Sequence, residues 1–205
     1  LNGVLSANEF LTRVNLMKAY SYPEYKTPVR LGKSAVVIGG GNVAMDAARC
    51  SLRLGCEKVT LVYRRTEAEM PARIEEVQHA KEEGIVFELL SAPVRILGND
   101  EFRVCGIECI RQELSDPGED GRRRPVPIEG SNYIVDCDSV IVAIGQRPNK
   151  LLTGADGSLK TRSHNRLVVN EETMETSRAG VFAGGDVVTG ATTVILAIGA
   201  GKTAA

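Results

Sequence analysis

The stretch that most constrains this chain is Ser34–Gly55. It begins Ser-Ala-Val36-Val37-Ile38-Gly39-Gly40-Gly41-Asn42-Val43-Ala44 and runs on to Arg49, Arg53 and Gly55. Val36–Ile38 is a short β-branched run suited to a strand buried on both faces. Glycines then stop it: Gly39 permits a sharp turn, and Gly41 lets a pyrophosphate approach the backbone without meeting a Cβ. Ala44 completes a G-x-G-x-x-A pattern and allows the next helix to pack closely on the strand. Ala44, Ala47, Ala48 and Ser51 share one helical face, Arg49 and Arg53 point away, and Gly55 stands where a C-terminal glycine cap belongs. A helix starting near Asn42 would aim unpaired N–H groups at phosphates. Gly39, Gly40, Gly41, Asn42 and Val43 therefore form a candidate dinucleotide-binding turn; the alternative is a glycine-rich turn with no ligand.

A second strand is predicted at Lys58–Tyr63, and its end reads Arg64-Arg65-Thr66. In a dinucleotide fold this end chooses the cofactor. An acid there accepts the adenosine ribose hydroxyls of NAD, whereas arginine suits the extra 2′-phosphate of NADP. No acid occurs between Lys58 and Thr66, and a charge-assisted hydrogen bond is worth about 1.5–3 kcal/mol. Arg64 and Arg65 thus point to NADP(H); the alternative is that they are solvated loop charges.

The 205 residues suffice for one large or two small domains, and 25 basic against 26 acidic side chains show no nucleic-acid or membrane-surface bias. No apolar run reaches the roughly 18 residues of a membrane span, and the opening lacks a signal-peptide layout. A cytoplasmic protein is expected. The five cysteines (Cys50, Cys56, Cys105, Cys109, Cys137) contain no C-x-x-C pair, which disfavours disulfide chemistry. No ligand set completes a metal site around Cys105 and Cys109. Trp is absent, leaving no stacking platform for single-stranded nucleic acid.

Along the rest of the chain, Ser6 and Glu9 predict a capping box for a helix reaching Lys18, with no strand ahead of it. Tyr20–Arg30 reads as a connector through Pro23 and Pro28. Tyr22 and Lys26 mimic a Tyr-x-x-x-Lys catalytic spacing, but Pro23 and the position before the glycine turn make this a coincidence. A helix is expected from Glu67 to Gly84, with Pro71 in its first turn and His79 on its flank. Ile85–Leu90 is a third strand. Pro93–Leu97, Phe102–Glu113 and Tyr133–Val135 suggest an antiparallel meander over a parallel sheet. Ser115–Arg124, with Arg122, Arg123 and Arg124, reads as a solvated hairpin tip. Asp138–Gly145 is another buried strand, which sets Gly145 at the ligand edge of an open sheet. Arg166–Asn170 reads as a short strand preceded by a loop with His164. A second cofactor-type turn follows: a strand at Val181–Ala183, then Gly184-Gly185-Asp186, then a helix beginning near Thr192 or Thr193. Asp186 is suited to accept hydroxyl hydrogen bonds from a cofactor chain, or to cap a helix.

Gly39–Arg49 with Tyr63–Thr66 and Glu69–Ala72, then Ala143–Asn149, then Gly180–Asp186, resemble the small (beta) subunit of NADPH-dependent glutamate synthase. Those proteins are FAD- and NADPH-dependent and of pyridine nucleotide-disulfide oxidoreductase type. The resemblance implies an α/β fold in which a Rossmann-like NADP(H)-binding domain (31–148) is inserted into a partial FAD-binding domain (1–30 and 149–205). It implies that Gly41, Asn42, Val43, Arg64 and Arg65 hold NADPH and that Gly185, Asp186, Thr192 and Thr193 approach FAD. It further implies hydride transfer from NADPH to FAD and electrons passed to iron–sulfur centres or a partner subunit. No side-chain acid or base is demanded, and none is nominated as catalytic. The family's amino-terminal FAD turn and upstream cysteine clusters are not among these residues, so a fragment is expected. Two rivals are a thioredoxin-reductase-like disulfide reductase, disfavoured by the missing C-x-x-C, and a non-catalytic NADP-binding module.

Overall fold

A computed structural model describes residues 1–118, 121, 123–149, 151, 154 and 157–205. They form two compact units, Leu1–Ile144 and Gly145–Ala205.

In the first unit the chain forms β1 (Val4–Ser6), α1 (Ala7–Leu11), β2 (Ser34–Ile38), α2 (Asn42–Arg53), β3 (Lys58–Val62), α3 (Ile74–Glu82) and β4 (Val86–Glu88). It continues with β5 (Ser91–Gly98), β6 (Val104–Leu114), β7 (Pro125–Asp136) and β8 (Ser139–Val142). Five strands make a parallel sheet in the order β1-β8-β2-β3-β4, and β5-β6-β7 make an antiparallel one. The expected parallel sheet with a meander over it is what forms.

Strand alternation explains the layers. Ala35 and Val37 of β2 join Phe10, Met45, Ala48, Leu61 and Val77 in a core beneath the helices. Val36 and Ile38 face the other way and pack with Val104, Ile107, Cys109 and Val140. Both faces of β2 are therefore covered, as an unbroken apolar run requires. Helices α2 and α3 end by one device: Gly55 (φ +102) and Gly84 (φ +91) adopt the left-handed region. Cys56 N–H bonds Ser51 O at 3.2 Å and Ile85 N–H bonds Ala80 O at 3.1 Å, which closes two Schellman caps. Arg49, on the outer face of α2, bridges Glu76 of α3 at 2.7 Å and Glu83, its C-cap, at 2.9 Å.

Several expectations change. A strand does precede the first helix: β1 is too short for a pattern to register, and it exists by pairing with β8, Val4 opposite Val140. Ser6 caps α1 at 3.2 Å, but α1 gives way to a π-helix at Thr12–Leu16. The helix expected from Glu67 is broken into a 3₁₀ turn, Glu67–Glu69, and α3. Pro71 is the cause, because it holds Met70 extended (ψ 129). β7 greatly exceeds Tyr133–Val135; as an edge strand it tolerates Pro125 and Pro127. Arg122 of the expected hairpin tip lies outside the described residues.

In the second unit the strands expected at Arg166–Asn170 and Val181–Ala183 are reduced to isolated bridges, Leu167 with Thr161 and Val169 with Thr176 in the first and Phe182 with Glu175 in the second. Helices α4 (Asp186–Thr189) and α5 (Val194–Ala204) follow, and the buried cluster is Leu167, Val169 and Val188.

Candidate functional site

The three glycines of the first turn answer to different neighbours. A Cβ on Gly39 (φ +141) would stand 2.4 Å from Ala143 O, and one on Gly40 would stand 2.6 Å from the Tyr63 ring. Both glycines are demanded by the protein's own packing. Gly41 is not: the nearest atom to its missing Cβ is Pro71 Cγ at 3.9 Å. The space it leaves open lies at the start of α2, which no side chain caps. Ala44 is fully buried, so the close helix–strand contact expected of it is present.

The second loop is laced to the first. Ile38 pairs with Val62, so Gly39 and Tyr63 leave the sheet at the same edge. Ala72 N–H bonds Gly40 O at 3.1 Å, and Arg73 N–H bonds Asn42 Oδ1 at 2.8 Å. The Asn42 side chain is therefore engaged with the backbone of residue 73. Val43, beside it, is exposed. Thr66 and Glu69 form a complete capping box, and the Thr66 hydroxyl, before all else, holds the Glu69 carboxyl below its ordinary range. Tyr63 donates its hydroxyl to Glu69 O at 2.7 Å.

Arg64 is exposed and Arg65 half-buried. Neither meets a carboxylate within ion-pair distance among the described residues. Arg65 Nε is shielded from solvent with no hydrogen-bond acceptor, the one buried side-chain polar atom so placed among the described residues. A shielded donor without an acceptor is costly unless something supplies one. Gly41's open space and Arg65's unmet donor fit an anionic dinucleotide. Sequence reasoning quoted Tyr63 and Ala72 within the motifs but gave them no contact with this turn, and it missed Arg73; their role is contact across loops, which no local pattern marks.

In the second unit, Gly185, Asp186, Thr192 and Thr193 gather around a cavity of about 460 Å³. A Cβ on Gly184 would lie 2.9 Å from the Ala200 backbone, so this glycine lets α5 approach. Thr193 caps α5 through Leu196 N–H at 3.4 Å, and Asp186 Oδ1 accepts from Thr192 N–H at 3.4 Å. Asp186 is thus both the first residue of α4 and a brace for the following turn. Gly145 is exposed with φ +88. A further cavity of about 580 Å³ is lined by Arg147, His164, Arg166 and Asp186.

Burial pushes the Cys56 and Cys109 thiols up to about 11 and Cys137 to about 12, away from the reactive thiolate. Among the described residues no three metal-ligating side chains cluster, and no helix is long and apolar enough to cross a membrane.

A parallel sheet with a glycine-rich turn opening onto a helix defines a dinucleotide-binding α/β protein. The chain belongs to the pyridine nucleotide-disulphide oxidoreductase family, whose model matches residues 1–201. It is 40% identical over 203 residues to the NADP(+)-dependent formate dehydrogenase subunit beta of Moorella thermoacetica, covering 99% of this chain and 27% of that protein. It is 41% identical over 177 residues to the Escherichia coli glutamate synthase [NADPH] small chain, covering 85% and 38% respectively. The resemblance drawn from the motifs holds. The chain therefore spans well under half the length of these relatives. Mycobacterium tuberculosis FprA in complex with NADPH shares the fold, with a TM-score of 0.72 at 20% identity over all of this chain and 57% of FprA.

Proposed function

We propose that the first unit binds NADP(H) across Gly39–Val43, with the 2′-phosphate on Arg65 and Arg64, as the nucleotide-binding part of a flavin-dependent oxidoreductase. The observation that carries this reading is the shielded, unpartnered Nε of Arg65 at the end of β3. With no acceptor on that Nε and no carboxylate within ion-pair distance among the described residues, the Arg65 guanidinium is left for an anion, which would gain a charge-assisted bond on meeting it. Gly41 admits the pyrophosphate, and the first-turn N–H groups of α2 carry about half a positive charge toward it. Asn42, through Arg73 N–H, holds the two loops in register.

In the intact protein, residues 149–205 belong to an FAD-binding domain, with Gly185, Asp186, Thr192 and Thr193 facing that cofactor; residues 1–30, assigned to the same domain by the resemblance, pack here into the first unit through β1 and α1. When bound, NADP(H) and FAD would supply the hydride and single-electron chemistry, with an iron–sulfur centre or a large partner subunit as the electron acceptor. This chain's residues would bind, orient and exclude water; this half-reaction demands no side-chain acid or base, and none is nominated. The names of the formate dehydrogenase and glutamate synthase relatives support the electron-transfer role, and the cytoplasm is the proposed compartment.

Titrating the full chain with NADPH and NADH, while recording visible absorbance, tests the reading. NADPH should bind at least tenfold more tightly; equal affinities would sink the assignment to Arg64 and Arg65. Absorbance of a reducible flavin supports the oxidoreductase, whereas a colourless preparation that binds NADPH favours a nucleotide-binding module.

A further inference from the structure

Between β4 and β5 the chain turns at Leu90, whose φ is +48. A residue with a Cβ adopts this left-handed conformation only where its surroundings enforce it. Both of its backbone groups are engaged. The N–H donates to Arg65 O at 3.1 Å, and the carbonyl accepts Gln112 N–H at 2.7 Å. Gln112 is a buried residue of β6, so a single strained residue links the arginine loop to the antiparallel sheet.

A polar cluster locks that turn from the sheet side. Ser91 is fully buried. Its hydroxyl donates to Leu89 O at 3.0 Å and accepts from Tyr133 OH at 2.7 Å and Arg111 Nη1 at 3.1 Å. One donor and two lone pairs are all the hydroxyl has, and all are used. Arg111 also bonds Glu88 Oε2 at 3.0 Å and stacks 4.1 Å from the Tyr133 ring centre. On the other side, Tyr63 N–H bonds Glu88 O and Ser91 N–H bonds Tyr63 O, each at 3.0 Å. The segment 88–91 is thus clamped between the end of β3 and strands β6 and β7.

We infer that Tyr133, Ser91 and Arg111 are positioning residues for phosphate discrimination, acting through Leu90 on the backbone of Arg65. The antiparallel sheet then serves as a buttress for the loop that chooses the nucleotide. This inference rests on the reading of Arg65 as a phosphate ligand. A guanidinium held in one place loses less freedom on meeting an anion than one on a wandering loop. Loosening the buttress should therefore weaken NADPH and spare NADH.

The test measures Kd for NADPH and for NADH on the full chain, with thermal unfolding alongside, for Ser91→Ala, Tyr133→Phe and Arg65→Ala. Tyr133→Phe keeps the ring and removes only the hydroxyl, so it guards against a Ser91→Ala chain that fails to fold. Each buttress variant should raise Kd for NADPH about three- to tenfold and leave NADH within about twofold. If Arg65→Ala abolishes selectivity while both buttress variants leave it unchanged, or shift both nucleotides alike, the positioning role is overturned. If Arg65→Ala itself leaves selectivity intact, the phosphate reading fails and the buttress falls with it.

Discussion

The molecule carries two glycine turns of similar sequence logic with very different backing. Gly39–Gly41 sits on a five-stranded sheet with apolar cores on both faces. Gly184–Asp186 sits on isolated bridges and a buried cluster of Leu167, Val169 and Val188. Its following helix leaves Val194, Ile195, Leu196 and Ile198 between 55% and 80% exposed. A glycine turn is thus a local instruction whose rigidity comes from elsewhere. The first is over-determined by neighbouring atoms, and the second rests chiefly on small residues, Ala197 and Ala200, that let α5 lie against it.

The sharpest way to break this comparison is Gly39→Ala. Its Cβ meets backbone at 2.4 Å and its φ is left-handed, so a loss of about 3 kcal/mol or more is expected in denaturant unfolding. A loss under about 1 kcal/mol would show that the turn yields.

Next in size, Arg65→Ala should weaken NADPH by about 1.5–3 kcal/mol in calorimetric titration, with NADH unchanged.

The backing of the first turn is also tested at Asp138, which accepts from Lys33 N–H at 2.7 Å and Ser34 N–H at 2.8 Å, joining the starts of β2 and β8. The Ser34 amide, chiefly, holds its carboxyl below the ordinary range. Because the folded value lies below the unfolded one, its contribution is complete above the unfolded pKa, about 3.9, and fades as pH falls through the folded value. Asp138→Ala should lose about 1–2 kcal/mol at pH 7. Urea titrations of variant and wild type should converge in acid; a gap that persists unchanged there would contradict the account.

The smallest effects sharpen the contrast. Gly41→Ala should alter stability by no more than about 0.5 kcal/mol, since its Cβ meets nothing closer than 3.9 Å, yet weaken NADP(H) binding. Ile195→Ser in α5 should likewise move stability by about 0.5 kcal/mol or less; a larger loss would mean the helix is better supported than its exposure indicates.

Much of the first turn was legible because its signals are local. β-branched residues, glycines and an alanine face sit within twenty-odd positions, and each acts through its immediate neighbours. The position of Arg64 and Arg65 just past β3 was legible for the same reason, as the end of a strand is a defined place. β1 was not, since three residues carry no period. The break at Pro71 was misread because proline suits a helix start in isolation, whereas here it places Met70 extended and brings Ala72 onto Gly40. The second unit's strands were over-read: Arg166–Asn170 has the composition, but pairing partners decide strands.

By itself the amino-acid order determined where chain direction changes and which faces are apolar, since dihedral preference and side-chain period act over a few residues. Tertiary structure alone decided that Gly40 must yield to the Tyr63 ring and that Arg65 Nε is shut from water. It also decided that Leu90 hangs between two sheets. Those are matters of contact between residues distant in sequence, and only the folded packing brings such atoms within reach of one another.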